Sequence, residues 1–237
     1  ELQGMMGEVY SALKGEESQV SRGIREHYFH RTSGDSLPSD QVTLPVALAD
    51  RMDMLSVAFS LKMIPSGSAD PFALRRMAQG VVQIVLGKQL PLGWEELSSL
   101  SVQILRDQQE FRNESDTLEK QLVDFLDQRE RWYLQEKGFR HDLIDAVLKP
   151  TSGTPLNRLN FASTLSEDLN LPEFKKSVEA VVRAINITNK YAEESQAAKL
   201  EEGSLTHEAE LALYQALEAM ELDSESSPQQ FNKTLYK

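Results

Sequence analysis

The chain has 237 residues, 40% of them hydrophobic, and a formal net charge of −12. That apolar share can bury a core and excludes a disordered chain, and the lack of cysteine excludes disulfides and thiolate chemistry and favours an unstapled intracellular fold. The acidity argues against indiscriminate nucleic-acid binding, but residues 192–225 hold ten acids and one base, so the rest carries only −3 and a site-specific binder stays open.

Taken in order, the chain reads as helix almost throughout, and we expect an all-α protein of about ten helices. It opens on "ELQGMM" without an initiator methionine, and reads as a piece of a longer polypeptide. No apolar run approaches a membrane span, so no membrane partner is expected. The first landmark is "REHYFH", with His27 and His30, followed by a polar break at 30–40. Leu48, Met52, Leu55 and Phe59 then form a helical stripe. Asp50 and Asp53, three residues apart, lie among apolar neighbours and call for a cationic partner. Arg75 or Arg76 is one such partner. A divalent metal held by His27 and Asp50, with Asp53 and His30 nearby, is the other.

After a break at 63–70, "DPFALRRMAQG" starts the next helix. Asp70 is placed to cap it, with Pro71 at its first position. Leu74, Met77, Ala78, Val81 and Val85 form its apolar side. Phe72, Arg75, Arg76, Gln79 and Gln83 fall within about one quadrant on the other. Such a face grips phosphates and sugar hydroxyls, or is simply solvated with its arginines paired to carboxylates.

The loop at 87–93 and the polar stretch 106–116 bracket an expected linker helix over 93–116. Domains are expected on either side, at 1–92 and 117–237. Leu118, Leu122, Phe125 and Leu126 open the second. Gly138 ends a helix in left-handed conformation, so the flanking helices are neighbours. Arg129, Arg131, Trp132, Tyr133, Arg140 and His141 gather around that corner. Trp132 reads as core and Asp127 as the i+4 partner of Arg131, which leaves Arg140 and His141 to meet single-stranded RNA. Residues 192–204 read as an exposed helix or linker. No Gly-x-Ser-x-Gly elbow, P-loop or dinucleotide fingerprint occurs, so nucleophilic catalysis has little support in the sequence.

Together the blocks "LQGMMGEVYSALKGEESQVSRGIREHY", "SGDSLP", "ALADRMD", "SGSADPFALRRMAQG", "GFRHDLIDAVL" and "FKKSVEAVVRAINI" resemble the C-terminal part of the β subunit of bacterial-type heterotetrameric glycyl-tRNA synthetase. The resemblance covers most of residues 1–190. It implies an HD-like helical domain at the start and an anticodon-binding bundle after it. It also implies tRNA(Gly) and the synthetase α subunit as partners in an α2β2 assembly. ATP, magnesium and the adenylate chemistry would belong to the α-subunit site, so the resemblance implies no cofactor and no catalytic residue in this piece. A cytoplasmic location, or an organellar stroma or matrix in a eukaryote, follows from the same resemblance. Arg183 of "VVRAIN" joins Arg75, Arg76, Gln79, Arg129, Arg140 and His141 as candidates for RNA contact. Ala69 and Val182 stand where the family has a lysine and a basic residue. Asp50 corresponds to the last metal-ligand aspartate of HD enzymes, but the paired His-Asp that precedes it there is missing. A metal-dependent phosphohydrolase acting on nucleotides and an acidic protein-interaction scaffold are the alternatives.

Overall fold

The computed structural model describes residues 2–29, 36–39, 41–65, 67, 69–108, 115–149, 153–191 and 205–219. Among these, ten helices carry the structure: α1 (Gln3–Leu13), α2 (Ser18–Glu26), α3 (Thr43–Ser60), α4 (Leu74–Gly87), α5 (Trp94–Asp107), α6 (Ser115–Glu136), α7 (His141–Leu148), α8 (Pro155–Asp168), α9 (Pro172–Tyr191) and α10 (Glu208–Ala219). The all-helical expectation holds at that level. The chain divides into two compact units, 1–162 and 163–237, with the boundary inside α8.

The first unit begins with a helical hairpin. Gly4, Gly7 and Ser11 lie along one side of α1, at spacings that keep them on one face. A Cβ on Gly7 would come within 2.5 Å of Ile24, and one on Gly4 within 3.0 Å of the Arg25 carbonyl. The two helices therefore touch through bare backbone. The Ser21 hydroxyl donates to Ser11 at 3.0 Å, and Arg25 pairs with Glu8 at 3.0 Å across the same seam.

Helices α3, α4, α5 and α6 share one core. Leu55 of α3, Ile84 and Val85 of α4, Trp94 of α5 and Leu122 and Leu126 of α6 are all essentially fully buried. The Phe59 and Phe125 rings meet edge-on at 5.1 Å between α3 and α6. This continuity differs from the expected organisation. Residues 93–107 are not a linker, because Trp94, Val102 and Leu105 of α5 bury their side chains in the same core as α3. The packing likewise shows no division between 92 and 117.

The start of α4 also departs from expectation. Asp70 does cap it: its two carboxylate oxygens accept from the amides of Leu74 at 2.8 Å and Arg75 at 3.0 Å. Pro71, however, lies in a turn before the helix, closed by the Ala73 amide on the Asp70 carbonyl at 3.1 Å. Ala73 is left-handed at φ 56°, so the helix begins at Leu74. Residue types at 70–71 announced a cap, but not a non-glycine αL residue ahead of the first turn.

Helix α6 ends at Gly138, which takes φ 86° as expected. The Phe139 amide donates back to the Leu134 carbonyl at 3.2 Å, and α7 returns to pack Leu143, Ile144 and Val147 inward. In the second unit, α9 is amphipathic, with Val178, Val181, Val182 and Ile185 each about half exposed. Helix α10 is opened by His207: its amide donates to Glu210 at 3.1 Å, and its Nδ1 accepts from the Ala209 amide at 3.3 Å. No helix among the described residues is long and apolar enough to cross a membrane. The expected linker at 192–204 lies outside the described residues.

Candidate nucleic-acid interface

The candidate residues separate into three places. The first is the α4–α6 contact. Arg75 folds back over the preceding turn, its Nη2 donating to the Gly67 carbonyl at 2.7 Å and its Nη1 to the Ala69 carbonyl at 3.3 Å. Arg129 of α6 lies close by, its guanidinium 5.7 Å from the Phe125 ring centroid. Burial lowers the Arg129 pKa, the neighbouring Arg75 charge lowers it further, and Asp70 partly restores it. Gln79 is one turn on from Arg75. The Gln79 carboxamide atoms, the Gln83 Oε1 and the Arg129 Nε are all buried without a hydrogen-bond partner among the described residues. The sequence reading placed Gln83 on an exposed polar quadrant with Phe72; instead Gln83 is 7% exposed, and Phe72 precedes the helix. Arg76 points to solvent.

The expected pairing of Arg75 or Arg76 with Asp50 or Asp53 does not form. The arginines bond to loop carbonyls or face water, while Asp50 and Asp53 lie exposed on the other side of α3. There they line a groove of about 650 Å³ with Leu48, Leu97, Leu100 and Ile104. The cation held against α3 is Arg51, which the sequence reading missed. It is buried, and its guanidinium donates to the carbonyls of His27 at 2.9 Å, Ala47 at 2.7 Å and Phe29. Gly80 of α4 makes room for it: a Cβ there would lie 2.7 Å from the Arg51 Nε. Two signals were present, an arginine next to Asp50 and a glycine within the α4 stripe, but only the fold connects them.

For the metal alternative, His27 Nδ1 lies 3.1 Å from the Gly23 carbonyl, within its own helix, and Asp50 faces the α3–α5 groove. His30 lies outside the described residues. Among those described, no three His, Asp or Glu side chains gather where they could hold a metal ion.

The second place is the α6–α7 corner. Arg140 is exposed, as expected, but is already engaged: its Nε and Nη2 donate to the two Asp142 oxygens at 3.1 and 2.7 Å. Those bonds hold the Asp142 pKa below its ordinary value. His141 is exposed at the first position of α7. Arg131 pairs with Asp145 rather than Asp127. Trp132 is 40% exposed and not core; the core tryptophan is Trp94. An exposed indole next to Arg131 in sequence adds aromatic surface to the C-terminal half of α6, which the sequence reading had assigned to the core.

The third place is α9, where Arg183 is exposed in the second unit.

One further ionic group lies in the first unit and was not anticipated. Glu130 is fully buried on α6. It accepts from the Trp94 indole at 2.7 Å and from Arg158 Nε and Nη2 at 2.9 and 2.5 Å. Arg158 also reaches Asp127 at 3.3 Å and the Gly153 carbonyl at 3.1 Å. Burial works against the Arg158 charge, but the hydrogen bonds and charge of Glu130 outweigh it, and the pKa is raised. Asp127 is pushed up to about 6, chiefly by burial and then by Glu130, Glu95 and Asp124, against the pull of Arg158. The Glu130 carboxylate, the Trp94 indole and all three Arg158 nitrogens are engaged, which marks the group as structural.

Comparison with known proteins gives a consistent result. Residues 1–149 match the family model described as glycyl-tRNA synthetase beta subunit. A glycine–tRNA ligase beta subunit of Halalkalibacterium halodurans is 42% identical over 190 residues, covering 80% of this chain and 27% of that protein. The Bacillus subtilis counterpart is 38% identical over 190 residues, 80% of the chain and 26% of its own length. That of Lactobacillus delbrueckii subsp. bulgaricus is 36% identical over 221 residues, 93% and 32% respectively. The chain thus spans roughly a third or less of these relatives, a share that identifies the subunit without supporting the C-terminal placement the resemblance implied. The chain belongs to the glycyl-tRNA synthetase beta subunit family.

Proposed function

We propose that this chain is a tRNA-binding portion of a glycine–tRNA ligase beta subunit, which positions tRNA(Gly) while a separate alpha subunit, using ATP and magnesium, makes the aminoacyl bond. The observation that carries the reading, beside family membership, is the Arg75–Arg129 pair. The Arg75 charge acts on Arg129, with Asp70 partly offsetting it, and neither guanidinium forms an ion pair among the described residues. Arg75 is held in place by two carbonyls, so it is oriented before any ligand arrives. An arriving phosphate oxygen relieves the repulsion between the two and accepts charge-assisted bonds from both. Arg76 and Gln79, on the same helix as Arg75, complete the proposed contact. Arg140, His141 and the exposed Trp132 supply a second contact area for unpaired bases. Arg183 is assigned to RNA contact with the second unit. An HD-like character for the early helices, an anticodon-binding character for the later ones and a cytoplasmic location belong to the same reading.

The test is electrophoretic mobility shift with glycine and non-glycine tRNAs over a salt series. The reading expects a salt-sensitive complex that favours tRNA(Gly). Equal binding of all tRNAs, or none at low salt, would sink it. Removing a phosphate contact should weaken binding of all RNAs alike, and each arginine removed should reduce the steepness of log affinity against log salt by about one.

A further inference from the structure

We propose that the groove between α3 and α5 is the docking site for a basic amphipathic helix of a protein partner. Its floor and walls are apolar, formed by Leu48 and Met52 on one side and Leu97, Leu100 and Ile104 on the other. Leu100 and Ile104 are 55% and 46% exposed, one turn apart on α5, so a row of large side chains faces outward unpartnered among the described residues. The only charged groups lining the groove are Asp50 and Asp53, and neither has an ion-pair partner among the described residues.

Size and charge select the occupant. From Leu97 to Ile104 the α5 wall runs about 10 Å, at 1.5 Å per residue, or two helical turns. A volume of about 650 Å³ takes a few side chains and not a folded domain. An amphipathic helix meets that demand with anchors at i, i+3 or i+4, and i+7. The two carboxylates then decide its flank. They repel RNA phosphate and anionic lipid, and a second copy docked through the same face would oppose like charges. Lysine or arginine beside the anchors instead gains both carboxylates and speeds encounter. The groove lies on the opposite face of α3 from buried Arg51, so it is separate from the Arg75–Arg129 pair and independent of the RNA reading.

The experiment uses a displayed library of helical peptides of about 14 residues, selected on the whole chain with counter-selection on a Leu100→Glu/Ile104→Glu variant. Enriched peptides are expected to carry the apolar spacing and a net positive charge. Their affinity, read by fluorescence anisotropy, should fall at least about tenfold on Asp50→Lys/Asp53→Lys and weaken with added salt. All four positions are exposed or groove-facing, and circular dichroism confirms that helicity is kept. If no peptide distinguishes wild type from the counter-selected variant, the groove is not a docking site. Acidic or uncharged winners, or binding that survives charge reversal, overturn the basic partner. Dimers of the unliganded chain that dissociate on Leu100→Glu would assign the groove to a second copy.

Discussion

Arg129 and Glu130 are adjacent on α6, yet they lead opposite lives. Glu130 turns inward and is surrounded by the Trp94 indole and the Arg158 fork. Arg129 is half-buried, and the strongest charge acting on it is another arginine, Arg75 of α4, ahead of Asp70. Adjacent helical positions differ by about 100°, enough to place one in a closed ionic group and the other at an open one. The lesson is that charge type says little about role; completeness of partnership says more. A closed group holds the fold together, and an incomplete cationic one is available to a ligand.

Breaking the closed side should have the largest effect. Glu130→Ala leaves Arg158 buried without its main counter-charge and is expected to destabilise by about 3–5 kcal/mol, read by chemical denaturation. The double change Glu130→Leu/Arg158→Met should recover most of that loss, because an apolar pair of similar volume needs no counter-charge. If Glu130→Ala melts like wild type, the two sides of α6 do not differ in the way described.

The open side should respond in the opposite sense. Arg129→Met is expected to leave stability within about 1 kcal/mol of wild type, or to raise it, since it removes a desolvated cation beside Arg75. The same change should lower tRNA affinity. A variant that is markedly destabilised yet, where folded, binds tRNA like wild type would place Arg129 with the structural group.

The pH dependence is smaller and has a definite sign. Asp127 holds its proton to about pH 6 in the native state, against 3.8 for the free group. Its contribution to stability is therefore complete below about pH 4 and is lost as pH rises through 6. Asp127→Asn should flatten that part of the pH–stability curve and raise stability above pH 6, by less than about 1 kcal/mol because the carboxylate is about half exposed and screened. Stability that rises with pH over the same window would contradict the burial argument. The smallest effect belongs to Arg140→Ala. Its pair with Asp142 is fully exposed, so the melting temperature should not move measurably, while tRNA(Gly) binding in a filter assay should weaken.

Local patterning made much of the fold legible. The stripes at Leu48–Phe59, Leu74–Val85 and Leu118–Leu126 all turn inward, and Gly138 and Asp70 mark helix ends as their chemistry requires. Partnerships distant in sequence were not legible. Asp127 has Arg131 four residues on, a favoured helical spacing, but bonds Arg158, 31 residues away, because α8 brings that guanidinium to the buried end of Glu130. The core tryptophan is Trp94 and not Trp132 for the same reason: its indole finds a buried acceptor in Glu130, 36 residues away. Asp50 and Asp53 looked like half of an ion pair because their neighbours are apolar. Those neighbours line an open groove and not a closed core.

Arg51 fastens the chain in another way. The α1–α2 hairpin is followed by residues whose carbonyls, at His27 and Phe29, end on one guanidinium seated over Gly80. Cutting this rivet with Arg51→Met should let the first thirty or so residues exchange their amide hydrogens ahead of the rest, as a leaf swinging on an otherwise intact frame. In the intact protein, what the hairpin touches is felt at α4 through this side chain.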